Sequence, residues 1–415
     1  MKYNTATLPN GLRIIHLPST SPVVYCGYEI NAGTRNERPG EEGLAHFCEH
    51  TTFKGTERRR AWHILNCLES VGGDLDAFTN KEGTVYYAAI LHHHIDRAVD
   101  LLTDIVFHGT YPQEEIDKEV EVICDEIESY NDTPSELIYD DFENLIFAHH
   151  PLGHNILGET DRVRRFTTAD ALRFTRQFYR PDNIIFFAYG DIDFKHLVQL
   201  ITKYTKGVDR SDVSDEGQAS TEIETLLTSN AYAGQTIVRK KDTHQAHVMI
   251  GNRAYGVHDE RRTALHLLNN ILGGPGMNAR LNLSLRERSG LVYTVESSMV
   301  SYDDTGLWCT YFGCDPKDLK RCLQLVRKEL DHVIEHPLSD IQLRAAKKQI
   351  KGQIGVACDN RESFALDFGK SFLHYGWERD IVSLYSKIDA VTATQMQEVA
   401  QAIFPASSLT TLIFK

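Results

Sequence analysis

The sequence predicts an α+β fold made of two structurally similar domains, each an antiparallel-rich sheet packed with helices. Three observations carry that expectation. The chain has 415 residues, too many for one hydrophobic core of ordinary size. Short strand-like segments are interleaved with longer ones whose apolar residues recur at helical spacing. The second half also replays phrases of the first, the mark of an internal duplication.

In chain order, residues 11–18 and 23–31 read as strands, and 42–54 and 60–71 as helices. Residues 74–80 and 84–91 read as a hairpin-like pair of strands. Helical spacing then covers 94–108, 113–131, 134–147 and 167–179, and a strand at 183–189 with a helix at 193–204 closes the half. Residues 206–231 are polar and aperiodic, rich in Asp, Ser, Thr and Glu, and read as a linker. Beyond it, Gly306-Leu307-Trp308-Cys309-Thr310 answers Gly83-Thr84-Val85-Tyr86-Tyr87. His336-Pro337-Leu338-Ser339-Asp340-Ile341 answers Tyr111-Pro112-Gln113-Glu114-Glu115-Ile116 at an offset of 225 residues, each phrase lying between two helical patterns. The expected division is therefore a domain over 1–205, a linker over 206–231 and a homologous domain over 232–415.

Composition narrows the function. Hydrophobic residues make up 41% and charged residues 25%, ordinary values for a soluble globular protein. The formal net charge of −14 makes nucleic acid and anionic membranes poor partners. No stretch approaches the roughly 18–20 apolar residues of a membrane span. The N-terminal segment has no apolar signal core, so a cytoplasmic location is expected. The eight cysteines contain no Cys-x-x-Cys pair and read as reduced thiols.

The chemistry is concentrated at residues 46–50, His-Phe-Cys-Glu-His. On a helix, His46, Glu49 and His50 stand at i, i+3 and i+4 and share a face. Two neutral imidazoles one turn apart can grip a zinc ion, and a carboxylate between them can hold a water against it and take its proton. This order reverses the common zincin motif and marks inverzincins. Cys48 lies two residues from each histidine, about 200° round the helix, and should point away from the metal. His92-His93-His94, at a strand-to-helix junction, has no carboxylate at a recognisable spacing and reads as a surface loop. The second half has no His-x-x-Glu-His, so one metal site per chain is expected.

The segment from Gly43 to Thr56, with Glu119-Val120-Glu121-Val122-Ile123-Cys124-Asp125-Glu126 and Asp132-Thr133-Pro134 downstream, resembles the pitrilysin-like (insulinase) metallopeptidases. The resemblance is closest to the single-module branch that includes the mitochondrial processing peptidase, and it runs from about Leu8 to the C-terminus. It implies a zinc-dependent endopeptidase with Glu49 as general base. The family's third ligand lies about 76 residues after the second histidine, which is Glu126 here, and a further glutamate seven residues earlier is Glu119. An Arg and a Tyr seven apart, here Arg286 and Tyr293, would hold the substrate backbone and stabilise the oxyanion. The strand Asp76-Ala77-Phe78-Thr79 resembles the family's edge strand, on which substrate lies extended; Asp76 stands where the family usually has Asn. His149, His150 and His154 fall in a segment like the family's His-Pro-Leu-Gly turn. A single module carrying both the metal set and the Arg/Tyr pair implies a homodimer enclosing a chamber for short or unfolded peptides, or else a heterodimer with a related chain. The alternatives are a non-catalytic assembly subunit and a protease that matures one dedicated precursor peptide.

Overall fold

The structure, a computed structural model, describes residues 2–208, 234–241 and 243–415. Most of the expected linker, from 209 onward, lies outside the described residues. The first half contains β1 (Asn4–Thr7), β2 (Arg13–Pro18), β3 (Val23–Ile30), α1 (Leu44–Thr52), α2 (Ala61–Glu69), β4 (Asp74–Thr79) and β5 (Thr84–Leu91). It continues through α3 (Ile95–Phe107), α4 (Gln113–Asn131), α5 (Pro134–Ile146), α6 (Thr160–Val163), α7 (Thr168–Phe178), β6 (Ile184–Gly190) and α8 (Phe194–Tyr204). Then come β7 (Thr236–Arg239), β8 (Ala246–Ala254), α9 (Arg262–Gly273), a π-helical stretch (Asn282–Glu287), β9 (Val292–Ser301) and β10 (Gly306–Cys314). The chain ends with α10 (Leu319–Glu335), α11 (Asp340–Ala357), α12 (Arg361–Tyr375), α13 (Ile381–Ala390), α14 (Ala393–Ile403) and β11 (Thr410–Phe414). Among the described residues no helix is long and apolar enough to cross a membrane.

The duplication is visible in the sheets. The first has the order β1-β2-β6-β3-β5-β4 and the second β7-β11-β8-β10-β9. Leaving β1 aside, the pairings correspond one to one. Among the described residues each sheet has a single parallel pair, β2 with β6 and β7 with β11, and is otherwise antiparallel. The repeated phrases Gly83-Thr84 and Gly306-Leu307 fall at the start of the equivalent strands β5 and β10.

Two compact units form, and two stretches cross the division that the repeat suggests. Residues 130–153, with α5, belong to the unit built on the second sheet, and residues 357–380, with α12, to the unit built on the first. Helix α12 packs on β3 and β6, and α5 on β8, β10 and β11. The two halves thus exchange equivalent helices, each following an equivalent pair. A repeat shows which segments are alike but not which sheet each one covers, because both sheets offer a similar apolar face. In the first unit α12 inserts Phe368 against Phe187 and Tyr189, while the opposite face of the sheet carries the core shared with α1, α3 and α4.

Beneath α12 lies a buried acid. Glu29 on β3 is 2% exposed, and its Oε2 has no hydrogen-bond partner among the described residues. Gly369 leaves it room, since a Cβ there would stand 2.8 Å from Glu29 Oε2. Burial, partly offset by Lys370, raises its pKa from 4.5 to about 8. The fold therefore binds this proton more tightly than the unfolded chain does. The associated stability is complete below pH 4.5 and is lost as pH rises to about 8. Glu29→Gln is expected to flatten that slope in urea unfolding. At pH 8 the variant should gain on the order of 4 kcal/mol over wild type, a tenfold change in proton affinity being about 1.4 kcal/mol. Parallel pH profiles for the two proteins would refute the assignment.

Candidate metal centre

The site is built on α1, whose Leu44, Ala45, Phe47, Cys48 and Thr51 pack inward. Its start is set by Gly43, with φ of 98°, a left-handed conformation that glycine adopts without strain. A Cβ there would also lie 2.8 Å from Gly158 Cα. Glu37 caps the helix, Oε2 accepting from the Gly43 N–H at 3.0 Å and Oε1 from the Ala45 N–H at 2.7 Å. A carboxylate at this end also meets the favourable end of the helix dipole. His154 closes on the same carboxylate, Nε2 to Glu37 Oε2 at 2.9 Å, which gives this turn histidine a structural role. Behind α1, Thr52 Oγ1 lies 3.1 Å from the Tyr86 hydroxyl and 3.2 Å from that of Tyr111, and Tyr86 is 2.9 Å from the Tyr179 hydroxyl. Each of these buried hydroxyls thus has a partner, as burial requires.

On its outer face α1 presents the two histidines to α4. Glu119 and Glu126 are seven residues apart, two helical turns, and so lie on one face of α4. His50 Nε2 is 3.3 Å and His46 Nε2 3.8 Å from Glu126 Oε2, and the three ligand atoms all lie within 4.8 Å of one another. Donors bound at about 2.1 Å to one tetrahedral zinc stand roughly 3.4 Å apart, so the set fits that ion. Among the described residues this is the only such group of His, Cys and acidic side chains. Cys48 does point away, its Sγ 4.0 Å from the Ala171 carbonyl oxygen.

The electrostatics match a cation site. Burial first, then the neighbouring His50, lower His46 to about 4, so its imidazole is neutral at pH 7, the ligand form. Burial alone would lower His50, but its hydrogen bonds to Glu119 and Glu126 outweigh that and raise it to about 9. The hydrogen bond from His50 holds Glu126 below its ordinary value. Glu119, which burial would raise, is held low by hydrogen bonds from His50 and Lys54. His50 Nδ1 is 3.0 Å from Glu119 Oε1, the carboxylate–histidine contact that leaves Nε2 free for a metal.

Glu49 stands outside the ligand set. It is 8% exposed, and Thr79 donates a hydrogen bond to its Oε2 at 2.7 Å. Burial raises its pKa, partly offset by that bond. Thr79 ends β4, which among the described residues is an edge strand pairing only with β5. Asp76 on the same strand is turned to its own sheet: Oδ1 accepts from the Ala77 N–H at 2.8 Å and Oδ2 from the Tyr87 hydroxyl at 3.1 Å. Phe78 is exposed and Ala77 packs against the core.

The structure thus gathers His46, Glu49, His50, Glu119, Glu126 and the strand 76–79 in one unit. Arg286 and Tyr293 belong to the other, where the guanidinium carbon lies 5.7 Å from the Tyr293 ring centre. Tyr293 is 82% exposed at the start of β9. Three contacts were not foreseen from sequence: Lys54 on Glu119, Thr79 on Glu49 and Glu37 at the head of α1. The only trace of the first is a lysine four residues after His50.

Comparison with known proteins agrees with this geometry. Residues 14–160 match the family model "Insulinase (Peptidase family M16)", and residues 165–350 match "Peptidase M16 inactive domain". The chain is 33% identical to an uncharacterised zinc protease of Streptomyces coelicolor, over 96% of this chain and 86% of the relative. It is 30% identical to another from Bacillus subtilis, over 96% and 95%. A protease from Helicobacter pylori has the same fold, with a TM-score of 0.91, 21% identity and coverage of 100% and 99%. A structure from Pseudomonas fluorescens described as a peptidase M16 inactive domain superposes with a TM-score of 0.88 at 15% identity. The inverted His-x-x-Glu-His on α1, the glutamate that meets it from α4 and the end-to-end likeness to these relatives have one reading: the chain belongs to the insulinase family, peptidase family M16.

Proposed function

We propose that the protein is a zinc-dependent endopeptidase acting on short or unfolded peptides, with Glu49 as general base. The observation that carries this is the convergence of two imidazole nitrogens and one carboxylate oxygen beside a buried carboxylate outside the ligand set. His46, His50 and Glu126 would hold the ion, and three protein donors would leave a position open, as catalysis needs and a structural site does not. Zinc bound there would polarise a carbonyl and ease the deprotonation of water. Glu49 takes the proton of the attacking water and returns it to the departing amine, while Thr79 holds one of its oxygens. Glu119 orients His50.

Substrate adds as an extended strand to the free edge of β4, where backbone pairing gives affinity without strong demands on side chains. Arg286 and Tyr293 supply a guanidinium and a phenol for the substrate backbone and the oxyanion. Two copies of the chain enclose the substrate, and only short or unfolded peptides fit within.

The test is incubation of the zinc-loaded protein with a mixture of unstructured peptides, read by mass spectrometry. Internal fragments are expected, and none after chelation. Intact peptides in every sample would defeat the reading. A monomer by size-exclusion chromatography with light scattering would defeat the dimeric chamber alone.

A further inference from the structure

Lys54 lies just beyond α1, where its N–H bonds the Thr51 carbonyl at 3.1 Å. Its Nζ is 2.5 Å from Glu119 Oε2, while Glu119 Oε1 is 3.0 Å from His50 Nδ1. One carboxylate on α4 therefore bridges two groups one turn apart at the end of α1. We propose that Lys54 is a positioning residue for the metal centre: it pins one oxygen of Glu119 so that the other holds the His50 ring with Nε2 turned to the ligand set. This rests on the reading of His46, His50 and Glu126 as zinc ligands and adds to it a group that binds no metal.

A glutamate has three rotatable bonds, and a single hydrogen bond to His50 would let its carboxylate pivot. The second anchor removes that freedom before the metal arrives, and ordering done in advance is reflected in affinity. The anchor is shielded, since the Lys54 side chain is 25% exposed and that of Glu119 11%. Water and salt therefore compete with it less than with a surface pair. The two histidines also differ. Among the described residues His46 Nδ1, which is buried, has no hydrogen-bond partner, so none of them fixes that ring through this nitrogen. His50 is the imidazole whose orientation is hydrogen-bonded, and the chain from Lys54 ends on it.

The experiment measures zinc affinity, with no substrate present. Metal-free wild type, Lys54→Met, Lys54→Arg, Glu119→Gln and the Lys54→Met/Glu119→Gln double variant are titrated with zinc against a chromophoric chelator. Circular dichroism and melting of the metal-free proteins report folding. Lys54→Met is expected to weaken zinc binding about tenfold, at the lower end of the roughly 10–100-fold typical for partners behind the ligands. Lys54→Arg should recover most of the loss, and adding Lys54→Met to Glu119→Gln should cost little more, because both act through one contact. Lys54→Met with wild-type affinity, or losses that simply multiply in the double variant, would overturn the proposal and leave the ligand assignment standing. A wild type that binds no zinc would overturn both. If Lys54→Met melts early, Lys54→Arg against Glu119→Gln decides: an Arg variant as weak as the Gln variant overturns the role assigned to the cation.

Discussion

Glu49→Gln is expected to lower kcat for peptide cleavage by about 10³–10⁴-fold, toward the upper end of what a positioned general base contributes, while zinc stays bound. The change keeps the shape of the side chain, and the amide oxygen can still accept from Thr79, which now reaches Glu49 Oε2 at 2.7 Å. It takes away only the capacity to accept a proton. Because burial disfavours the ionised form of Glu49, the variant should melt no lower than wild type, so lost activity cannot be ascribed to unfolding. Mass spectrometry of the cleavage products, metal analysis and a melting curve on one preparation test all three parts. Activity within tenfold of wild type would remove Glu49 from the role of base.

The second large effect concerns the metal. His50→Ala is expected to weaken zinc binding by more than ~100-fold, because losing even a partner behind a ligand costs about 10–100-fold. It deletes both the Nε2 that faces Glu126 at 3.3 Å and the Nδ1 that meets Glu119 at 3.0 Å. Cleavage should vanish with the zinc. The fold should survive, because α1 is held from elsewhere. Glu37 caps its first turn, Thr52 and the Tyr86, Tyr111 and Tyr179 hydroxyls tie down its last, and its apolar face is in the core. Chelated wild type should therefore keep its helical circular dichroism. Its melting point should fall only by the linkage a bound ligand contributes, about 4 kcal/mol at a thousandfold excess over Kd. Loss of helix on chelation would show that the metal is structural and would sink the open-site reading.

Much of the fold was legible because it is local. The helix expected over 42–54 is Leu44–Thr52, and the one over 113–131 is Gln113–Asn131. The strands over 74–80 and 84–91 are Asp74–Thr79 and Thr84–Leu91, and they do pair as a hairpin. The short strand β1 and the single turn α6 were not singled out, being too brief for a period to register. Within the site, the shared face of His46, Glu49 and His50 follows from helical spacing alone. Glu126 does not. Nothing local links it to His50, and it was found only through the spacing of a known family.

What the sequence by itself determined is therefore the alternation of elements, the duplication, and the placing of His46, Glu49 and His50 on one helix face. Tertiary structure decided that α12 covers the first sheet and α5 the second, that Glu119 reaches His50 with Lys54 behind it, and that Thr79 holds Glu49. The reason is one of range. A period of 3.6 or 2 residues is written in consecutive positions and obeyed by the backbone there. Which side chains meet across elements depends instead on how whole faces pack, and in a duplicated chain two faces compete for each partner.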